Sequence, residues 1–325
     1  MPIALFLRKW ISRIKNKPAY KILAKVKYQA FATIYENLIF NTSPIFTRDP
    51  EAGCGQAGCE VHLFTFERHW KMAVWALKSF YYYSGVDWPL TIHECGRLPD
   101  SSFRMLQEHF PNSDIIEKKT ADVKVEKQLR LMSLDKTAEF RRFNIVSAKF
   151  IDSVLLSKSR NIIIMDSDVL FLSNPVELIE EAARERKTNL YNRDRVSIYG
   201  VSREYVKDKY GLDLIDRLNT GLCVIGRDNF RWGLFNRFAA DQALYNPEWS
   251  WCADQTIMAL YESAAGCDFL PDSYMVESNR KLKAGSGGEL KTKHYAGHIK
   301  PNYYIEGLPY LVRRGFLKAI NKASA

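Results

Sequence analysis

Residues 161–172 read Asn-Ile-Ile-Ile-Met-Asp-Ser-Asp-Val-Leu-Phe-Leu, and no other stretch restricts the fold so tightly. Four consecutive apolar side chains with no polar alternate fit a strand covered on both faces, the pattern of a central strand in an α/β sheet. This strand runs straight into Asp166 and Asp168. Ligands of open α/β sheets gather at the carboxyl ends of strands, so the two carboxylates flanking Ser167 stand where chemistry is expected. Most acidic pairs in turns are merely solvated or cap a helix. A pair that follows so apolar a strand instead offers hard oxygen donors of the kind Mg²⁺ or Mn²⁺ favours.

The chain around this strand has the alternation such a sheet needs. Strand-length apolar runs at 61–66, 89–95 and 114–118 are interleaved with helical periodicity at 70–83 and near 101–109. One long helix is predicted over 138–156, followed after the Asp-Ser-Asp strand by a helix near 176–186, a strand at 221–226 and a helix beginning after Asp254. The implied class is α/β with a mostly parallel sheet. Pro44, Pro50 and several glycines mark residues 41–60 as a linker, so the expected organisation is an extension at 1–40, a domain at 61–310 and a basic tail at 311–325.

The formal charge of +10 invites a nucleic-acid reading until it is mapped. Eight Lys and Arg, with no Asp or Glu, fall in residues 1–35, which leaves the remaining 290 residues at +2. A basic groove through the body is therefore not supported, and no nucleic-acid partner is expected. Ile3, Phe6, Leu7, Trp10 and Ile14 recur at helical spacing among basic residues, and a second helix is predicted over 19–39. Such an extension either lies on an anionic membrane surface or packs its apolar face on the domain. No apolar run reaches the 18 or so residues of a membrane span, and six scattered cysteines suit free thiols; a cytoplasmic protein, peripheral at the inner membrane face, is the expectation.

Two further stretches carry chemistry. Near the C-terminal end the chain reads His294-Tyr295-Ala296-Gly297-His298-Ile299-Lys300-Pro301, joining an imidazole, a glycine that lets backbone approach a ligand, and a point charge suited to phosphate. With Asp166 and Asp168, His294 would complete an oxygen, oxygen and nitrogen donor set that suits Mn²⁺. Asn219-Thr220-Gly221 and Asp254-Gln255 lie between. Trp249 and Trp251, just ahead of Asp254, could stack on an acceptor sugar or belong to the core.

In order, these motifs resemble glycosyltransferase family eight, the group that includes glycogenin and bacterial lipopolysaccharide galactosyltransferases. Asp166-Ser167-Asp168 matches its Asp-x-Asp, Asn219-Thr220-Gly221 its Asn-x-Gly, Asp254-Gln255 its Asp-Gln pair, and the 294–301 stretch its His-x-x-Gly-x-x-Lys-Pro. The resemblance covers roughly residues 61–304 and implies a GT-A fold. It implies that Asp166, Asp168 and His294 ligate Mn²⁺ or Mg²⁺. It further implies that Gly297 and Lys300 contact the donor diphosphate, that Thr65, Phe66 and Glu67 approach the nucleobase, and that Asn219, Asp254 and Gln255 reach the sugar and the reacting centre. Ser167 and Gly221 fall within the donor-binding motifs. Lys149 stands where the family usually has an arginine on the donor, and Asn302 where Trp commonly follows the Lys-Pro. The implied reaction moves a hexose-type sugar from a UDP-sugar to a glycan or lipid-linked glycan, with retention at the anomeric carbon. The glycine-rich run 283–291 reads as a lid or as an idle surface loop. A haloacid-dehalogenase-like phosphatase also ends a strand in Asp-x-Asp, and a catalytically inactive GT-A scaffold would keep the fold; both stay open at this point.

Overall fold

The computed structural model describes residues 18–49, 58–96, 98–276, 281–282 and 290–323. Among these, seven strands form a mixed sheet in the order 3-2-1-4-7-6-8: β1 (Cys59–Thr65), β2 (Leu90–Glu94), β3 (Asp114–Ile116), β4 (Asn161–Asp166), β6 (Asn189–Arg193), β7 (Leu218–Gly226) and β8 (Cys267–Phe269). β1 pairs in parallel with β2 and β4, β2 with β3, and β6 with β8, whereas β7 runs against both β4 and β6. A small second sheet holds β5 (Val169–Phe171), β9 (Tyr274–Val276) and β10 (Thr292–His294) in the order 5-10-9.

The unbroken apolar run of β4 follows from helices on both sides. Ile163 and Met165 enter one layer, with Leu63, Trp75 and Leu222; Ile162 and Ile164 enter the other, with Phe150, Cys223 and Met258. All four are fully buried. Burying a side chain of this size stabilises the fold by about 1.5–3 kcal/mol, so β4 anchors both layers at once.

Three differences from the sequence reading have physical causes. The helix predicted over 138–156 is two helices, Asp135–Phe143 and Ala148–Leu156, parted at Asn144. The Asn144 backbone is extended (φ −124°, ψ 101°), and its side-chain oxygen accepts a hydrogen bond from the Ser147 N–H at 2.9 Å, a local alternative to the helix ladder. β7 begins at Leu218, three residues before the predicted strand, because Leu218, Asn219 and Thr220 are buried too. Residues 311–323, set apart in the sequence as a tail, form helical turns that carry Phe316 and Ile320 into the core.

Within the extension, the helix Pro18–Glu36 packs Phe31 and Tyr35 on the core, and the Tyr28 ring meets the Tyr304 ring edge-on at 5.4 Å. Glu36 at its end accepts from Lys71 Nζ at 3.0 Å and from the Tyr304 hydroxyl at 3.2 Å. The basic helix expected around residues 3–14 and residues 283–289 of the expected lid lie outside the described residues. Among the described residues, no helix is long and apolar enough to cross a membrane.

Candidate functional site

The site forms where β4 and β10 end and where β7, running against β4, begins. Asp168 immediately precedes β5, and β10 pairs antiparallel with β5 so that His294 stands opposite Val169. The two motifs, far apart in sequence, thus meet through a three-stranded ribbon rather than through flexible loops. One ligand atom each from Asp166, Asp168 and His294 lie within 4.8 Å of one another. His294 Nε2 is 3.1 Å from Asp168 Oδ1 and 3.7 Å from Asp166 Oδ2.

Two features of the chain fit this cluster to a divalent cation. First, His294 Nδ1 lies 3.1 Å from Asn219 Oδ1, an oxygen that also accepts from the Gly221 N–H at 3.0 Å. An amide oxygen can only accept, so Nδ1 carries the proton and donates, leaving Nε2 to face the carboxylates, as metal-binding histidines are usually oriented. Second, a Cβ added at Gly221 would fall 2.0 Å from His294 Cε1, so the imidazole fills the space that the glycine leaves. Gly297, at φ +56°, then turns the chain so that Lys300 Nζ reaches Asp168 Oδ2 at 2.9 Å.

Charge balance in the cluster is tight. Burial works against an ionised Asp168, but the His294 imidazole and the Lys300 ammonium outweigh it and hold the carboxyl well below the usual range. Burial likewise disfavours a charged His294, and Asp168, with Asp166 behind it, reverses the sign and raises the imidazole. Lys149 is buried on the floor of the cleft, 3.2 Å from both Asp166 Oδ1 and Asp254 Oδ2. Burial would lower its ammonium, and those two carboxylates raise it instead. Lys149 therefore ties the Asp-x-Asp turn to the Asp-Gln pair with a charge that persists.

A cleft of about 410 Å³ opens over this cluster, within the range of small-ligand sites. Lys149, Asp166, Asp168, Asn219, Gly221, Asp254, Gln255, His294, Gly297 and Lys300 all line it. An adjoining cleft of about 180 Å³ is lined by Phe66, Ser167, His69 and Lys149. Of the three residues expected near a nucleobase, Phe66 lines this second cleft, Thr65 is fully buried at the end of β1, and Glu67 stands exposed on the following turn. Sequence reading missed Asp194, which lines the larger cleft and whose Oδ2 accepts from Asn219 Nδ2 at 3.2 Å and Gln255 Nε2 at 3.3 Å. It follows β6, whose register slips between Tyr191 and Asn192, and no motif surrounds it. The four basic and polar residues around it in the sequence, Asn192, Arg193, Arg195 and Ser197, gave no signal that it would be buried.

No family model matches the chain, and no curated protein is similar to it in sequence. Solved structures are similar. The bifunctional glycosyltransferase WbbM, solved in its apo form, superposes with a TM-score of 0.52 at 13% identity, over 82% of this chain and 51% of that one. The chain has a GT-A fold. It spans about half the length of the WbbM chain, so what is shared is the architecture of that half. Mouse xyloside xylosyltransferase 1 is similar at a TM-score of 0.46 and 14% identity, over 74% of this chain and 97% of that one. The galactosyltransferase LgtC, solved with donor and acceptor sugar analogs, is similar at 0.45 and 12%, over 81% and 95%.

Proposed function

We propose that this protein is a metal-dependent glycosyltransferase of the family-eight type, which transfers a hexose-type sugar from a UDP-sugar to a glycan or lipid-linked glycan with retention of configuration. The observation that carries the reading is the convergence of Asp166, Asp168 and His294 on one point, with Lys300 beside them and Gly221 leaving room for the imidazole. A fold shared with WbbM supports the same class.

Each residue has a task in this reading. Asp166, Asp168 and His294 would hold Mn²⁺ or Mg²⁺, and a divalent cation there supplies positive charge to a departing diphosphate. Lys300, on the turn that starts at Gly297, adds a mobile ammonium that can leave Asp168 for a phosphate oxygen. Phe66 and Ser167 border the cleft for the nucleoside, while Asn219, Asp254 and Gln255 line the wall where the sugar would lie. When the bond from the anomeric carbon to the diphosphate oxygen breaks, its electron pair leaves with the diphosphate, the acceptor hydroxyl oxygen bonds to the anomeric carbon on the same face, and its proton passes to the departing diphosphate; Lys149, fixed between Asp166 and Asp254, offsets part of the negative charge of those two carboxylates. Residues 1–40, with their excess of Lys and Arg, would bring the enzyme to an anionic inner membrane surface where a lipid-linked acceptor resides. The phosphatase reading gives the buried imidazole and Lys300 no role, and no feature of the site favours it.

A panel of nucleotide sugars incubated with Mn²⁺ tests the proposal: release of UDP from a UDP-sugar, abolished by chelation, is expected. Asp168→Ala and His294→Ala should each lower that turnover at least about a hundredfold while circular dichroism shows the parent's fold in both. Near-normal turnover in both variants refutes the metal assignment.

A further inference from the structure

A pair of tryptophans beside the cleft has no structural task that explains it. Trp249 and Trp251 lie in the 3₁₀ turn Pro247–Cys252, which runs directly into the helix bearing Asp254 and Gln255. They are 40% and 61% exposed, although large indoles are ordinarily drawn into a core. Their ring centroids are 6.3 Å apart with planes 30° from parallel. At that spacing the two indoles lie against each other and no sugar ring fits between them. The turn is held firmly: Asn144 Nδ2 donates to the Ser250 carbonyl, Asn246 Oδ1 accepts from the Glu248 N–H at 3.0 Å, and Ser250 Oγ donates to the Pro247 carbonyl at 2.9 Å. Trp251 lines the same cleft as Asp254, Gln255 and Lys300, whereas Trp249 stands beyond it.

Resting on the glycosyltransferase reading, we propose that Trp251 and Trp249 form the acceptor platform, and that the acceptor is a saccharide of at least two sugar rings. A pyranose ring has an apolar C–H face and a hydroxyl rim, which matches an indole bordered by a polar cleft. One ring on Trp251 presents a hydroxyl toward Asp254 and Gln255, and a second ring is needed to cover Trp249. Preformed aromatic area of this kind binds without the cost of ordering a loop. The platform thus selects acceptor length by contact outside the reacting centre.

Tryptophan fluorescence of the full chain, titrated with soluble gluco- and galacto-oligosaccharides of one to four rings, reads the platform directly. In parallel, UDP with Mn²⁺ titrated into the parent protein reads the donor half. The expected result is a spectral shift with di- or longer saccharides and an affinity at least about tenfold weaker for monosaccharides. Trp251→Ala should weaken the longer saccharides about tenfold, Trp249→Ala should erase the advantage of the second ring, and Trp251→Phe should restore most of the affinity. UDP binding with no saccharide response overturns the platform while leaving the transferase reading intact. A saccharide response without UDP binding removes the transferase and with it the acceptor role, which overturns the proposal from the donor side. A shift produced by anionic vesicles alone, and lost in both alanine variants, assigns the pair to a membrane surface and overturns the proposal.

Discussion

Among the described residues, two buried pairings of a carboxylate with an imidazole serve opposite ends. In one, Glu60 on β1 meets His62 Nε2 at 2.7 Å; in the other, Asp168 meets His294 Nε2 at 3.1 Å. Residue types, distances and burial are alike. The surroundings differ. Glu60 Oε1 also accepts from the Thr91 hydroxyl, and Oε2 accepts from the Ser157 hydroxyl and the Lys158 N–H, while His62 Nδ1 is occupied by His93 Nε2 at 2.8 Å. Every acceptor of that carboxylate and both nitrogens of that imidazole are filled by the protein itself, so nothing is left for a ligand. Asp168 instead faces a cleft, with a half-exposed Lys300 on its second oxygen and Asp166 close behind. A charged cluster becomes a site when its remaining valences point into open space, not because its residues are polar.

The comparison breaks most visibly at the closed cluster. Glu60→Ala would take this acceptor from His62, two hydroxyls and two backbone N–H groups. Removing one partner of such a buried set costs about 3–5 kcal/mol, which corresponds to a fall in melting temperature of the order of 10 °C. Calorimetry of the variant would check it; a loss under about 1 kcal/mol would show that the network merely fills space. The open cluster is better probed by adding a single methyl group. In Gly221→Ala the new Cβ would collide with the His294 ring at 2.0 Å, pushing Nε2 off the carboxylates. Mn²⁺ affinity, measured by calorimetric titration, should fall at least about tenfold, with a stability change much smaller than that of Glu60→Ala. Unaltered Mn²⁺ affinity would separate the glycine from the cation site.

The fold was largely legible because β4, buried on both faces, writes its position as an unbroken apolar run, and because turns and helices alternate around it. What stayed hidden was hidden for definable reasons. β6, Asn-Leu-Tyr-Asn-Arg, is an interior strand of the sheet but carries polar residues, Asn189 bonding to Gly226 of β7 and to Glu262 on the helix Ala253–Ala265, so no run announces it. The break at Asn144 depends on one amide choosing Ser147 over the helix ladder. In the site, Asp166, Asp168 and His294 could be grouped from their motifs, whereas Asp194 is placed by a slip in strand register that no local pattern encodes. The closed cluster was equally unannounced: Glu60, His62 and His93 are simply alternate residues of adjacent strands until the register of β1 against β2 puts them side by side.

The smallest expected effect is also the most discriminating for that closed cluster. Burial alone would push the Glu60 carboxyl up, but the His62 imidazole, the Ser157 hydroxyl and the Lys158 N–H together hold it well below its ordinary value of 4.5. A carboxyl whose folded value is depressed stabilises the protein fully above the ordinary value, and that contribution drains away as pH falls, because the unfolded chain takes up its proton first. Against Glu60→Gln, which cannot ionise, the parent protein should therefore hold a constant margin in melting temperature from pH 7 to about pH 5. The margin should then narrow as the pH is lowered toward 3. A margin that stays flat to pH 3, or widens, would mean that the carboxylate gains no charge stabilisation from its neighbours. The contrast drawn between the two imidazole pairings would then rest on hydrogen-bond geometry alone.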